Sequence, residues 1–162
     1  MECSVLTEQE TFLTIVRTQA EYARVLDSDR LEEWPDFFSD DCIYKITSAA
    51  NHARGHEAGV VFANSRGMLK DRVSALREAN IYERHSYRHI TAMPVILSQD
   101  GADVRCETSF LVARIMQNGK TDVFAAGRYL DQYRVDAGRA VLAERIVVCD
   151  SSRFDTLLAI PL

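Results

Sequence analysis

Apolar residues near the start of the chain fall at Phe12, Ile15, Val16, Ala23 and Leu26, with Gln19 or Ala20 at the shared position between them. That spacing marks one buried stripe of a helix. Thr7-Glu8-Gln9-Glu10 precedes it as a capping box, in which the Thr7 hydroxyl accepts the Glu10 amide and the Glu10 carboxylate reaches back. A second, short helix is predicted from Ser28 or Asp29, with Leu31 and Trp34 turned inward. Pro35 has no amide proton and crowds the turn before it, so that helix is expected to end or bend there. Phe37 and Phe38 lead through the turn cluster Ser39-Asp40-Asp41 to a first strand over 42–47. Residues 48–67 keep no period and read as a surface excursion.

Between residues 68 and 90 the pattern changes in mid-stretch. Leu69, Val73, Leu76 and Ala79 make one helical stripe, with Lys70, Asp71, Arg77 and Glu78 opposite and Asn64 and Ser65 as candidate caps. From Ile81 the period becomes extended, through Tyr82, Glu83, Arg84, His85, Ser86, Tyr87, Arg88, His89 and Ile90. A strand this rich in Arg, His and Tyr is expected to meet a working surface; the plainer reading is a solvated helix followed by an edge strand.

Beyond Tyr87 the chain is predicted to be sheet. Pro94 interrupts the first long strand, which fits an edge or a bulge. Asp100-Gly101 is a tight turn, and Asn118-Gly119 is the strongest hairpin signal. Between them Val104, Cys106, Thr108, Phe110 and Val112 alternate with Arg105, Glu107, Ser109, Leu111 and Ala113. A long strand over 121–135 turns at Asp136-Ala137-Gly138 into a last strand over 141–149. The tail, with Phe154, Leu157, Leu158, Ile160 and Leu162, is too apolar to float free and is expected to dock on a sheet or a neighbouring subunit. Helices first and a meander of long strands afterwards make the fold class α+β. Strands of such length must twist and curl, so the expectation is a strongly curved, mostly antiparallel sheet forming a cone closed by the N-terminal helices. With no internal repeat, residues 1–162 read as a single domain, able to bury roughly 70% of the unfolded surface.

The net charge of -5 argues against nucleic acid as the main partner. The charge is uneven. Residues 1–44 carry eleven acids against three bases, residues 45–90 four against eight, and all four histidines fall in that middle block. An acidic face beside a basic one suits assembly with other chains or an anionic ligand. Cys3, Cys42, Cys106 and Cys149 form no Cys-x-x-Cys pair. No apolar run has the length of a membrane span or the form of a signal peptide. The expectation is a reduced, cytoplasmic, soluble protein.

Two kinds of chemistry are open to these residues. His52 and His56 are four apart, as are His85 and His89, and with Glu57 or Glu83 either pair imitates a two-His-one-carboxylate iron site. No second signature accompanies them, there is no cysteine-and-histidine pattern for a Rieske cluster, and there is no Gly-rich phosphate loop. A general acid/base site is the stronger enzymatic idea, with Tyr22, Asp27, Tyr44, His85 or His89 facing a cavity in the cone. Phe110, Val112, Val123 and Ala125 are expected to point inward and fill that space.

Over nearly its whole length the chain resembles the small (β) subunit of aromatic-ring-hydroxylating dioxygenases. The resemblance is carried by Glu33-Trp34-Pro35-Asp36-Phe37-Phe38, Asp40-Asp41-Cys42-Ile43-Tyr44, the run over 68–90, Phe124-Ala125-Ala126-Gly127-Arg128-Tyr129-Leu130-Asp131, Glu144-Arg145-Ile146-Val147-Val148-Cys149-Asp150 and the 157–162 tail. The run over 68–90 looks closest to the terephthalate dioxygenase branch, with anthranilate-, halobenzoate- and salicylate-type relatives near it. Pro35 stands where many members have Leu. The resemblance implies the cystatin-like cone shared with nuclear transport factor 2 (the NTF2-like fold) and an α3β3 heterohexamer. It places the Rieske 2Fe-2S cluster and mononuclear Fe(II) in the large α subunit, with electrons ultimately from NAD(P)H. It implies a structural role for this chain, with no metal, cofactor or catalytic residue of its own, in cis-dihydroxylation of a terephthalate-like aromatic carboxylate during aromatic catabolism. Trp34, Arg84, His85, Tyr87, Arg88, His89, Arg128, Tyr129 and Asp131 are then the expected subunit contacts, because Arg forks and aromatic rings favour interface centres. The alternative is a stand-alone enzyme of the same fold, a dehydratase, isomerase or cyclase, with its site near Tyr22, Asp27 and His85.

Overall fold

The structure, a computed structural model, describes residues 6–56, 59–79, 84–151 and 160–162. Cys3, Glu57, Tyr82, Glu83, Phe154, Leu157 and Leu158 lie outside these described residues.

Helix α1 (Glu8–Asp27) opens on the expected capping box: the Thr7 N–H donates to Glu10 Oε2 at 2.9 Å and the Glu10 N–H to Thr7 Oγ1 at 3.3 Å. Its buried face runs through Thr11, Ile15, Gln19, Tyr22 and Leu26, so Gln19 and not Ala20 takes the shared position. Asp29 then adopts a left-handed backbone, φ +58°, which stops the helix. A 3-10 helix, Leu31–Phe37, comes next and starts later than expected. Pro35 lies inside it and its carbonyl accepts the Phe38 N–H, since a short 3-10 segment loses only one bond to a missing donor.

Strand β1 (Phe38–Ser48) begins earlier than predicted, because Ser39-Asp40-Asp41 forms an irregularity within the strand and not a turn before it. The supposed excursion contains helix α2 (Ala49–Ala53), capped by Ser48 Oγ, and strand β2 (Val61–Ala63). Helix α3 (Arg66–Ala79) is capped by Ser65, whose Oγ accepts the Met68 N–H at 3.2 Å. The remaining strands are β3 (His85–Thr91), β4 (Val95–Asp100), β5 (Asp103–Met116), β6 (Thr121–Asp136) and β7 (Arg139–Cys149).

The seven strands form one mixed, curved, open sheet in the order β2-β1-β7-β6-β5-β3, with β4 also on β5. Among the described residues only the β1–β7 pair is parallel. Pro94 falls where expected, at the break that lets β3 and β4 share one edge of β5. The hairpin signals hold: Gly101 and Gly119 have φ +59° and +87°, and Asn118 Oδ1 accepts the Lys120 N–H. Helices α1 and α3 and the 3-10 helix cover the inner face, where Val104, Cys106, Thr108, Phe110 and Val112 point. Val123 does not join them. The register slips between Val112 and Ala113, Phe124 becomes the extra residue of a bulge, and Val123 turns outward at 64% exposure.

Strands β6 and β7 approach closely at Gly127, where a Cβ would overlap the Val148 carbonyl oxygen. Gly127→Ala is therefore expected to prise the two strands apart and destabilise the fold by about 2 kcal/mol or more. A urea midpoint matching that of the unaltered protein would refute this.

Candidate functional site: a filled interior and a polar rim

A charged pair occupies the centre of the cone. Arg145 on β7 and Asp131 on β6 stand directly opposite each other, with side chains 1% and 0% exposed. The guanidinium binds the carboxylate with two parallel bonds, Nε to Oδ1 at 2.8 Å and Nη2 to Oδ2 at 2.7 Å, and Nη2 also donates to Tyr133 OH at 3.2 Å. Gln19 of α1 approaches Asp131 Oδ2 at 3.5 Å and donates to Thr108 of β5 at 2.9 Å. The Tyr22 and Tyr129 rings sandwich the guanidinium, their centroids 4.2 and 4.0 Å from its carbon. Burial works against the Arg145 charge, but Asp131, with Tyr133 and Tyr22 adding to it, more than offsets that, so the group titrates well above its ordinary range.

Beside this pair lies an aromatic nest. Trp34 Nε1 donates to Tyr22 OH at 2.9 Å, and Trp34, Phe38 and Tyr44 meet edge to face. The hydroxyls of Tyr22 and Tyr44 both donate to the Leu162 carbonyl at 3.0 Å, and Leu162 itself is buried. Ile160 and Leu162 thus dock on the sheet's interior, one of the two fates expected of the tail. Burial raises the hydroxyl pKa of both tyrosines.

The candidate acid/base residues are divided among separate environments. Tyr22 and Tyr44 hold Leu162. Asp27 is engaged by His89, which brings both its backbone N–H (3.1 and 3.0 Å) and Nδ1 (2.7 Å) to the carboxylate. Asp27 and His85 do line one cleft of about 430 Å³, with Arg77, Arg84, Tyr87 and Ile160, but Tyr22 is not part of it. The second histidine pair does not converge. His85 and His89 lie on one strand, where four residues span roughly 13 Å. Among the described residues no three His, Cys, Asp or Glu side chains gather as a metal site.

The nine expected contact residues separate by burial. Trp34, Tyr87, His89, Tyr129 and Asp131 are buried within the chain itself, so they support its surface from inside and offer a partner no area. Arg84, Arg88 and Arg128 are exposed and His85 is half-buried. Arg77 is engaged elsewhere: it binds Asp29 and Glu32 and clamps α3 to the 3-10 helix. Sequence reasoning missed Arg145 as a site residue. Its signal was available, since it shares its strand phase with Val147 and Cys149 while Asp131 shares that of Tyr129 and Tyr133.

Comparison with known proteins gives this arrangement a context. Residues 8–146 match the SnoaL-like domain family. The chain is 53% identical over 150 residues to the β1 subunit of the terminal oxygenase component of terephthalate 1,2-dioxygenase from a Comamonas species, covering 93% of this chain and 97% of that one. It belongs to the ring-hydroxylating dioxygenase β subunits. The small subunit of anthranilate 1,2-dioxygenase from Burkholderia cepacia is 40% identical, with 97% and 98% covered. A solved β subunit assigned to an aromatic-ring-hydroxylating dioxygenase of Novosphingobium aromaticivorans superposes with a TM-score of 0.88 at 38% identity, covering 95% of this chain and 98% of that one. The cone here is the SnoaL-like fold of that family, with its interior taken up by its own side chains.

Breaking the central pair from one side strands a buried charge. Arg145→Met or Asp131→Leu alone is expected to cost about 3–5 kcal/mol, and the double substitution to recover most of that loss. Denaturant melts of the three variants check this; additive losses would refute the coupling. A second expectation concerns alkaline pH. Burial, with Asp131 adding to it, pushes the Cys106 thiol up to about 12, and burial pushes Cys149 up to about 12. Both thiols ionise near 9 when unfolded, so the stability that protonated thiols contribute is complete below pH 9 and lost as pH rises toward 12. Unfolding free energy should fall across that window, and less steeply in Cys106→Ala/Cys149→Ala.

Proposed function

We propose that this chain is the structural β subunit of the terminal oxygenase of a Rieske dioxygenase that cis-dihydroxylates a terephthalate-like aromatic carboxylate. The likeness to the Comamonas subunit along almost the full length of both chains carries the reading. The filled interior supports it, because Arg145, Tyr22, Tyr129 and Leu162 take the space in which an acid/base enzyme of this fold would hold a substrate. In this reading the partner α subunit carries the Rieske cluster and mononuclear Fe(II), fed with electrons from NAD(P)H, and three copies of each chain assemble in the cytoplasm as α3β3. Among the described residues no helix is long and apolar enough to cross a membrane, which agrees with that location.

Arg84 and Arg88, with His85 beside them, form a polar rim that meets other subunits, and Arg128 on the outer face of β6 is a second exposed contact. Arg84→Ala/Arg88→Ala is expected to reduce the large subunit recovered with a tagged copy of this chain from its native source, together with the iron and visible absorbance of that fraction. An intact iron-bearing complex from the double variant would refute the rim's role. A colourless, iron-free species containing this chain alone, from the unaltered protein, would refute the subunit reading.

A further inference from the structure

A second cleft, of about 380 Å³, opens where α1, the end of the 3-10 helix and the start of β7 meet. That volume stands at the small end of ligand sites and suits a molecule of one ring. Its floor is apolar: Val25 and Ala140 are 1% and 7% exposed, and half-buried Phe37 lies beside them. Phe37 is held from within by the Tyr22 ring, edge on at 5.4 Å. The walls are tied together by Arg30, which pairs with Glu21 of α1 at 3.2 Å and with Glu33 of the 3-10 helix at 2.9 Å.

The polar groups around this floor fall into two sets. Glu21 and Glu33 are met by Arg30, Glu21 is met also by Arg24 at 3.3 Å, and the Thr18 hydroxyl donates to the Thr14 carbonyl at 2.9 Å. Arg17, Asp36 and Arg139 are not engaged in this way. Among the described residues none of the three makes an ion pair or a side-chain hydrogen bond, and each comes from a different element. A lone unpaired arginine on a surface is ordinary, because water serves its donors. Two guanidinium groups and one carboxylate left over around one apolar floor make a pattern that an amphipathic anion completes. The guanidinium forks match a carboxylate. The floor takes the flat face of a ring, and Asp36, which only accepts, requires a donor.

We infer that this cleft binds a single-ring aromatic carboxylate that also carries an amino or hydroxyl group. The carboxylate lies on Arg17 and Arg139, the ring on Phe37, Val25 and Ala140, and the donor on Asp36. Asp36 also sets a limit. A second carboxylate on the ligand would face it, and like charges repel, so a dicarboxylate is disfavoured. The cleft shares no residue with the one at Asp27 and His85, and the inference does not rest on the subunit reading above.

Footprinting with phenylglyoxal tests it, on the full chain in the assembly recovered from its native source. The reagent adds to guanidinium groups, and peptide mass spectrometry reads each arginine by itself. Para-aminobenzoate is expected to slow the modification of Arg17 and Arg139 as its concentration rises. Arg54 and Arg105, exposed and outside the cleft, are expected to react at unchanged rates. Arg17→Gln, read at Arg139, is expected to raise the half-protecting concentration about tenfold, the worth of one charge-assisted bond. Terephthalate is expected to protect less well than para-aminobenzoate, and Asp36→Ala to erase that difference. Equal slowing at all four arginines overturns the inference, as does terephthalate protecting the unaltered chain as well as para-aminobenzoate. Arg17 and Arg139 that gain no protection, or that do not react even without ligand, overturn it too. Circular dichroism checks that each variant is folded, and Arg139→Gln, read at Arg17, replaces Arg17→Gln if it is not. The readout lies on this chain alone, so failed protection leaves the subunit reading intact, and failure to recover a large subunit leaves the protection intact.

Discussion

The fold is organised by the ion pair between Arg145 and Asp131. Burying two full charges carries a large desolvation cost, and it is offset only when geometry and further hydrogen bonds are both good. Here the guanidinium meets the carboxylate edge to edge, Tyr133 takes another of its donors, and two tyrosine faces cover its plane. The pair joins β6 to β7 directly, while Gln19 links it to α1 and Thr108 links that contact to β5. A one-residue slip of β7 would turn Arg145 to the outer face and leave Asp131 alone in the core, so the pair also fixes strand register. It fills the centre of the cone at the same time. Space at the centre of the cone that could hold a small molecule holds a guanidinium.

Features whose cause is local were legible in the sequence. The capping box at Thr7, the turns at Gly101 and Gly119, the break at Pro94 and the cap at Ser65 each depend on a few adjacent residues, and each stands where the residue types place it. The departures have non-local causes. Strand β2 is three residues long and exists because β1 offers it a partner, a pairing invisible in residues 48–67. Val123 faces outward because of a bulge one residue away, and period-2 reasoning carried across a bulge inverts every later assignment. The 3-10 helix starts late because Asp29 is left-handed, a conformation its aspartate type permits but does not demand.

The functional residues divide along the same line. Arg84, Arg88 and Arg128 were singled out by residue type alone, and all three are exposed: Arg88 on the edge strand β3, Arg84 just before it, and Arg128 on the outer face of β6. Tyr87, His89, Tyr129 and Asp131 carry the same chemistry and lie inside, because strand phase decides which side of the sheet a residue serves. Composition could not separate the two groups. Phase could, once the inward position of Val112 and Phe110 was known and carried across the register to β3 and β6.

The bonds that fill the interior also set the surface. Asp27 lies at the end of α1 and grips His89 by its backbone and its ring, so the helix end is fixed to the strand that forms the sheet's edge. His89 precedes Ile90, and Arg88 lies on its other side, with both neighbours facing outward. An edge strand left to itself frays, because only one of its sides is hydrogen-bonded within the sheet. Tied to α1 from the inner face, β3 presents its outer side chains in a fixed position, and a rigid surface loses little conformational entropy when another chain covers it. Polar groups buried at the rim of the cone thus hold the edge still from inside.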